Sequence, residues 1–581
     1  MAFQAGNNGS FSIKAYIGDN KTLLAFNFSD SARAKNLAGF TIHCEPPGMP
    51  GRFLLNELQF ADPSKHAQVT GEKPNSTVNA PIQKYRWTHV AVADPNTHAA
   101  VTGNYTYTVT PRYFDSNHAM KPLDTSLSAK VMVRVEPFKK GSLSLGFTRG
   151  YTQSEAFVHH FGPQVHLQPP GKPLLYDTKQ QAGTNPAGQT YTFEDEYVWM
   201  GSSARQQVLA VLNTALGDKS VHVDAFAYDL NDPTIMSALL ELGKQARLRL
   251  ILDNAQLHIT HVDSKTKKTV VPAEDNFAAL YKQQAKDKKS LVRGCFDRFS
   301  HDKVFILSRG GSAFQVITGS TNWSVTGLYV NANHVLVFND ATIAAKYSEV
   351  FAKSFSILST TKTPSKAASN AFAATPLSTQ AVTFQSASVP KTIINFSPHT
   401  ATRVDQILGS ISGRIDKEVG VKNGNVLFAV MQLSGSQSPV FSTLNDLHAK
   451  QNVFSYGISD APKGTFLYAP GSKNGVIVTG KPGQTILPEP FDQVPVPPGH
   501  EIHDKFVVCG VNGSDPVVYC GSSNLATGGE AANGDNLLEI HDADVATAFA
   551  IEALLLVDHY NFLDRMATPK APKAKAAGGK P

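Results

Sequence analysis

The sequence predicts an α/β protein made of two copies of one strand–helix unit, preceded by an all-β sandwich. Three observations predict it. Strand-like sequence punctuated by turns fills residues 1–145, helical and strand periods alternate from about 190 onward, and a set of polar motifs recurs at a constant spacing of 202 residues. With 581 residues, 41% hydrophobic and 17% charged, the chain has room for several cores. It is neither a disordered chain nor a disulfide scaffold.

The amino-terminal region reads as antiparallel strands. Thr102–Phe114 is dense in aromatic and β-branched residues, and Ala129–Val135 alternates with period two. A sandwich of immunoglobulin or fibronectin type III appearance fits these signals. It carries no catalytic constellation, which implies an accessory role. Residues 146–189 read as a linker. The first α/β half then spans 190–357. Ser203–Leu216 has apolar Val208, Leu212 and Leu216 at helical spacing, with Gly217 as a stop. Val221–Tyr228 is a strand. Asp232-Pro233 caps a helix bearing Ile235, Leu239 and Leu242, and Leu248–Leu252 is a second strand. The alternation predicts a largely parallel sheet.

Residues 358–390, rich in Ser, Thr, Ala and Pro, read as a connector. The second half spans 391–566, with a helix near Ala401–Ile411, a strand at Val426–Met431 and a helix from about Val440 to Ala449. Asn452–Gly499 is a Gly- and Pro-rich insertion able to cover a site, and Val545–Val557 reads as a core helix. Residues 567–581 form a basic tail expected to be disordered.

Net charge is +6, but Lys570, Lys573, Lys575 and Lys580 of the tail account for most of it and leave the body at +2. That is a poor footprint for sequence-blind nucleic-acid binding. The basic run Lys265–Lys289 contains interspersed acids and reads as a solvated surface. The four cysteines form no C-x-x-C, so neither a zinc knuckle nor a disulfide framework is indicated, and Cys295 reads as a buried thiol. The amino terminus lacks a basic segment followed by an apolar one, and no apolar run is long enough to span a bilayer. The expectation is a protein that is cytoplasmic or exported without a cleavable signal.

The repeat carries the chemistry. The first copy reads His301-Asp-Lys303, then Gly319-Ser320-Thr321-Asn322, then Asn331-Ala-Asn333-His334. The second reads His503-Asp-Lys505, then Gly521-Ser522-Ser523-Asn524, then Asn533-Gly-Asp535-Asn536. The same offset relates Phe226-Ala227 to Phe428-Ala429. A lone H-x-K means nothing, since roughly one is expected by chance in such a chain, and His448-Ala-Lys450 is such a decoy. Two H-x-K motifs, each followed at equal distance by G-S-x-N, are specific. Within each, His and Lys share a face of an extended segment, while Asp302 and Asp504 point away. Gly319 and Gly521 are expected to let donors approach a ligand. Facing halves bring two imidazoles to one anionic group. One then attacks phosphorus while the other protonates the departing oxygen, and two lysines and two amides hold the remaining oxygens. This chemistry requires no cofactor and no metal.

Paired His-x-Lys and Gly-Ser-x-Asn motifs in one chain resemble the phospholipase D superfamily over about 190–566. The resemblance implies a duplicated αβα unit with pseudo-twofold symmetry and a site between the halves. It also implies a two-step reaction through a phosphohistidine. His301 would be the nucleophile and His503 the general acid. Lys303, Asn322, Lys505 and Asn524 would bind phosphate, with Ser320 and Ser522 supporting. The family's aspartate five residues after the lysine is replaced here by Ser308 and Gly510, as in tyrosyl-DNA phosphodiesterases, which also lack it. Asp535 fits the later acidic position, which orients the histidine of the opposite half, whereas its mate is Asn333. Asp535 is therefore expected to bond His301, with His503 held by an amide. Trp323, beside Asn322, is either a packing residue or a substrate platform.

The function implied is metal-independent hydrolysis of phospholipids, at a membrane or micelle surface, to phosphatidic acid and head group. Head-group exchange follows if an alcohol replaces water. Both half-sites lie in one chain, so a monomer suffices. The alternatives are a nuclease of the same superfamily and a catalytically silent binding protein. A membrane-anchored phosphatidyltransferase is disfavoured by the lack of a spanning segment.

Overall fold

The computed structural model describes residues 3–566 apart from 57, 151–154, 163–164, 434–436, 451, 462–463, 469–475, 479–484, 487–500 and 512, together with 568–569. The amino-terminal region forms two antiparallel four-stranded sheets. One runs Phe3–Asn8, Phe11–Ile17, Lys21–Phe28, Arg86–Val90, and the other runs Arg52–Phe53, Leu37–Glu45, Gly103–Tyr113, Ala129–Val135. Alternation explains the burial: Ala129, Val131, Val133 and Val135 point inward, with Lys130, Met132 and Arg134 outward. They meet Phe11, Ile13, Phe26, Phe40 and Tyr107 in a single core. Tyr105 donates its hydroxyl to the carbonyl of Val101 at 2.8 Å, pinning the entry to the long strand Gly103–Tyr113.

Two larger sheets follow. The eight-stranded one has the order Leu291–Arg293, Leu248–Leu252, Val221–Ala227, Val304–Arg309, Ser312–Gly319, His334–Phe338, Leu143–Phe147, Lys139–Lys140. The nine-stranded one runs Val382–Phe384, Lys391–Phe396, Asn536–His541, Val517–Gly521, Lys505–Cys509, Gly424–Met431, Val453–Ala461, Gly464–Tyr468, Val476–Val478. Helices Phe193–Gly217 and Pro233–Lys244 cover the outer face of the first sheet, and Ala401–Val419 and Pro439–Leu447 that of the second. The core between the sheets also takes in Ala341–Thr360 and Ala543–Met566. Asp232 caps its helix as the sequence implied, accepting from the amide of Ile235 at 2.8 Å.

The sheets are not largely parallel. Among the described strands, parallel pairing joins Val221–Ala227 with Leu248–Leu252, Leu248–Leu252 with Leu291–Arg293, and Gly424–Met431 with Val453–Ala461, the other strand pairs being antiparallel. The motif strands are hairpins. Gly310 and Gly311, at φ 57° and 83°, turn Val304–Arg309 directly into Ser312–Gly319, and so tight a turn permits only antiparallel pairing.

One motif equivalence also fails. Phe226 pairs with Val304, but it is Ala429 that pairs with Phe506, while Phe428 pairs with Val507. Phe226 and Ala429 both face the core between the sheets, and Phe428 faces the opposite side. In that strand the offset is 203, and a one-residue slip turns every side chain over.

Three expected boundaries differ as well. Leu143–Phe147 straddles residue 145 and pairs with His334–Phe338, joining the eight-stranded sheet. The stretch 146–189 contains helix Glu155–Phe161 and strand Gln181–Thr184. The connector 358–390 holds helix Lys366–Ala373, capped by Ser365, and strand Val382–Phe384, which edges the nine-stranded sheet. Its single short turns are too brief to show a period, yet Ala368 and Phe372, four apart, bury one face. Most of the insertion and of the basic tail lies outside the described residues. Thr568–Pro569 pairs with Thr485–Ile486.

The sandwich is docked through charge. Lys21 and Glu552 form a fully buried ion pair, and Arg86 reaches Asp558 at 2.9 Å, both acids lying on Ala543–Met566. No helix among the described residues is long and apolar enough to cross a membrane.

Candidate active site

The two α/β halves interlock at backbone level before any side chain is considered. Ser300 bridges to Gly534 and Ala332 to Ile502, each in parallel fashion. The amide of His301 donates to Gly534 (2.8 Å) and that of His503 to Ala332 (3.1 Å). Each H-x-K segment is thereby tied to the N-x-[DN] segment of the other half. Asp253, at the end of Leu248–Leu252, adds a carboxylate that accepts from the amide of Ser300 at 2.6 Å.

Side chains of the motif segments then pair across the interface. His301 Nδ1 meets Asp535 Oδ1 at 2.7 Å and His503 Nδ1 meets Asn333 Oδ1 at 2.9 Å. Asn536 Nδ2 donates to Asp302 Oδ1 at 2.6 Å, and His334 Nδ1 meets Asp504 Oδ1 at 2.7 Å. The middle residues of the two H-x-K motifs thus point away from the imidazoles and act as fasteners. Asn333 is fixed in orientation: its Nδ2 donates to Gly327 O at 2.9 Å, so its Oδ1 accepts from His503. Nδ1 of His503 therefore carries the proton, and its Nε2 faces Lys505 Nζ at 3.3 Å.

Gly319 and Gly521 serve the sheet rather than a ligand. At φ 145° and 134°, an added Cβ would lie 2.3 Å from the carbonyl of His334 or 2.4 Å from that of Asn536. The serines beside them are fully buried. Ser320 donates to Asn333 at 2.7 Å and accepts from the amide of His334 at 3.0 Å, and Ser522 accepts from the amide of Asn536 at 3.0 Å. Asn333, Ser320 and Ser522 hold the histidine partners in place, a positioning rather than a substrate-binding geometry.

Lys303 and Lys505 fold back onto their own motifs. Lys303 donates to the carbonyl of His301 and lies 4.6 Å above the ring of Tyr228. Lys505 donates to the carbonyl of His503 at 2.7 Å and sits 3.2 Å from its Nδ1. Burial pushes Lys303 down to about 8, partly offset by Asp535 and Asp302. Burial, and then the charge of Lys303, holds Lys505 well below the usual lysine range. Burial followed by Lys303 and Lys505 likewise holds His301 well below the usual histidine range, so it is neutral. Burial raises Asp535 to about 6 against the pull of Lys303. Burial and mutual repulsion disfavour the charged forms of the two lysines, and an anion between them would restore both charges. Asn322 and Asn524 each leave a buried Oδ1 without a partner, at the same position of their Gly-Ser-x-Asn motifs.

Trp323 is a packing residue, not a platform. It is fully buried, stacks on Phe305 at 4.4 Å and donates Nε1–H to the carbonyl of Phe226 at 3.0 Å. Trp323→Ala should lower stability by about 3–5 kcal/mol, read as a shift in the urea midpoint. Cys295 is buried and its thiol is pushed up to about 12, which leaves it inert.

Sequence reasoning missed Tyr228, whose ring lies edge-on to His301 at 4.6 Å. Its signal was its place just past the strand that pairs with Val304–Arg309. The fastening role of His334 and Asn536 was also missed, although both stand inside the quoted motifs. A groove of about 1000 Å³ lies elsewhere, lined by Tyr16, Leu23, Leu427, Phe454 and Ile551.

With this geometry in place, comparison with known proteins shows what part of the chain resembles. Residues 209–355 match the family described as cardiolipin synthase, phospholipase D-like domain. That stretch, about a quarter of the chain, is similar to a phospholipase D-like domain. A polyphosphate kinase from Porphyromonas gingivalis aligns at 13% identity over 61% of this chain, with a TM-score of 0.36, and the chain spans only 48% of that protein. Phosphatidylserine synthase from Haemophilus influenzae Rd KW20 aligns at 9% identity over 64% of this chain and 85% of its own, with a TM-score of 0.35. Nuc, a phospholipase D family member from Salmonella typhimurium, aligns at 20% identity over 26% of this chain and 86% of its own, with a TM-score of 0.19. No curated protein matches the chain in sequence.

Proposed function

We propose that the protein is a phosphodiester-cleaving enzyme that works through a phosphohistidine on His301, and that its substrate is a phospholipid. The observation that carries the chemistry is the pair of imidazoles, each held through Nδ1 by a residue of the opposite half. In the first step His301 Nε2 attacks phosphorus, the bond from phosphorus to the head-group oxygen breaks, and His503 Nε2–H protonates that oxygen. Asp535 stabilises the positive charge that His301 gains. In the second step His503 takes a proton from water, the oxygen attacks phosphorus and the P–N bond breaks. Phosphatidic acid leaves and both imidazoles return to their starting states. An alcohol in place of water gives head-group exchange. Lys303, Lys505, Asn322 and Asn524 neutralise the non-bridging oxygens.

We read the two α/β halves as copies of one unit. The amino-terminal sandwich reads as an accessory domain of the immunoglobulin or fibronectin type III kind, a reading supported by its two-sheet strand order and the Tyr105 corner.

Two observations favour lipid over nucleic acid. The body carries little net charge. The excursion between residues 257 and 271 also exposes Leu257, Ile259, Val262, Val270 and Val271 together with Lys265, Lys267 and Lys268. Exposed apolar side chains among lysines suit the boundary of an anionic lipid surface. This hairpin, His261–Val262 paired with Thr269–Val270, starts beside His258, whose ring lies 4.6 Å from that of Tyr228.

Val262→Asp or Val270→Asp should lower turnover of phospholipid in mixed micelles about tenfold. Cleavage of a water-soluble p-nitrophenyl phosphodiester should be unchanged. Equal rates on micelles would remove the lipid-docking role, and salt-steep cleavage of single-stranded DNA without lipid turnover would favour the nuclease.

A further inference from the structure

We propose that Asp229, His258 and Glu274 bind one divalent transition-metal ion, Zn²⁺ or Mn²⁺, which staples the base of the 257–271 excursion to the wall of the phosphate site. One ligating atom from each of the three lies within 4.8 Å of the others. They come from three separate segments. Asp229 follows the strand Val221–Ala227, His258 ends the turn Gln256–His258, and Glu274 opens the helix Ala273–Gln284. His258 and Glu274 are more than nine-tenths buried.

The outer contacts suit a metal. Asp253 Oδ1 engages His258 Nδ1 at 2.8 Å, the carboxylate–imidazole arrangement that fixes the tautomer of a metal-ligating histidine and leaves Nε2 for the ion. Glu274 uses one oxygen to accept from the amide of Leu230 at 2.9 Å, which keeps the second available. Among the described residues neither Asp229 nor Glu274 forms an ion pair with Lys or Arg. Two carboxylates converging on one imidazole form a donor set that attracts a cation. One nitrogen and two oxygen donors select Zn²⁺ or Mn²⁺ over Ca²⁺ or Mg²⁺, which take oxygen donors almost throughout.

The site does not touch the reacting phosphate. Its consequence is positional, because Asp229 adjoins Tyr228, whose ring packs against both His258 and His301.

The test uses the full chain, stripped with EDTA, dialysed and titrated separately with Zn²⁺ and Mn²⁺. Calorimetry and elemental analysis give the stoichiometry, and thermal unfolding gives the stabilisation. The proposal expects about one ion per chain and a rise in Tm on loading. Asp229→Asn and Glu274→Gln should each weaken binding about tenfold or more, while His301→Asn, which removes a competing nitrogen ligand, keeps it. Asp229→Asn alters a half-buried carboxylate with little change of shape, so it reports even if Glu274→Gln fails to fold. Failure of the wild type to retain either ion, or unchanged binding in Asp229→Asn, overturns the proposal.

Discussion

Asp535→Asn is expected to lower kcat about 10²- to 10⁴-fold and to remove the acidic limb of the pH profile. His301 starts neutral and becomes positive on attack, so a buried carboxylate at its Nδ1 stabilises the intermediate more than the ground state. Asp535 is pushed up to about 6 by burial. As pH falls through that value the carboxyl takes a proton, its negative charge disappears and kcat/KM declines. The limb therefore belongs to Asp535, paired with His301, and an amide cannot titrate there. Asn333→Asp is the converse change. It places a carboxylate at His503 Nδ1, favours the protonated imidazole and moves the basic limb upward while most activity remains. An unchanged rate in Asp535→Asn would remove the pairing from the mechanism.

The second large effect separates the two histidines. His301→Asn leaves no nucleophile and should abolish turnover of every substrate. His503→Asn should depend on the leaving group. With phosphatidylcholine the departing alkoxide needs a proton, and loss of the acid slows the first step by about 10²- to 10⁴-fold. With a p-nitrophenyl ester the leaving group departs unaided. The first step then proceeds, and the second, lacking a base to activate water, stalls. Stopped-flow absorbance should show a burst of about one p-nitrophenolate per chain followed by a slow phase. Equal loss with both substrates would remove His503 from the acid role.

The contrast between the site and the fold shows which features a single sequence carries. Paired His, Lys, Ser and Asn at one offset require no knowledge of packing, and the exchange Asp535 for Asn333 was visible because both stand at the same place in their motifs. The partners of those residues lie far apart in sequence and touch in space, and the constant offset of the motifs is what revealed them.

What the sequence hid depends on packing. The antiparallel sense of the motif strands rests on the two-residue turn at Gly310-Gly311, which helical and strand periods do not record. The matching dipeptides Phe226-Ala227 and Phe428-Ala429 were a coincidence of composition, since an apolar strand buried on both faces gives no alternation to fix its register. Gly319 and Gly521 looked like ligand-approach glycines, because a close backbone neighbour and a close ligand make the same demand on Cβ. Tyr228 carried no motif at all.

The most direct test of the central claim is intact-protein and peptide mass spectrometry of His503→Asn, quenched at neutral or alkaline pH after mixing with a p-nitrophenyl phosphodiester. The account predicts a single acid-labile phosphoryl adduct located on His301. No adduct while p-nitrophenolate is released, or an adduct on any other residue, would contradict it.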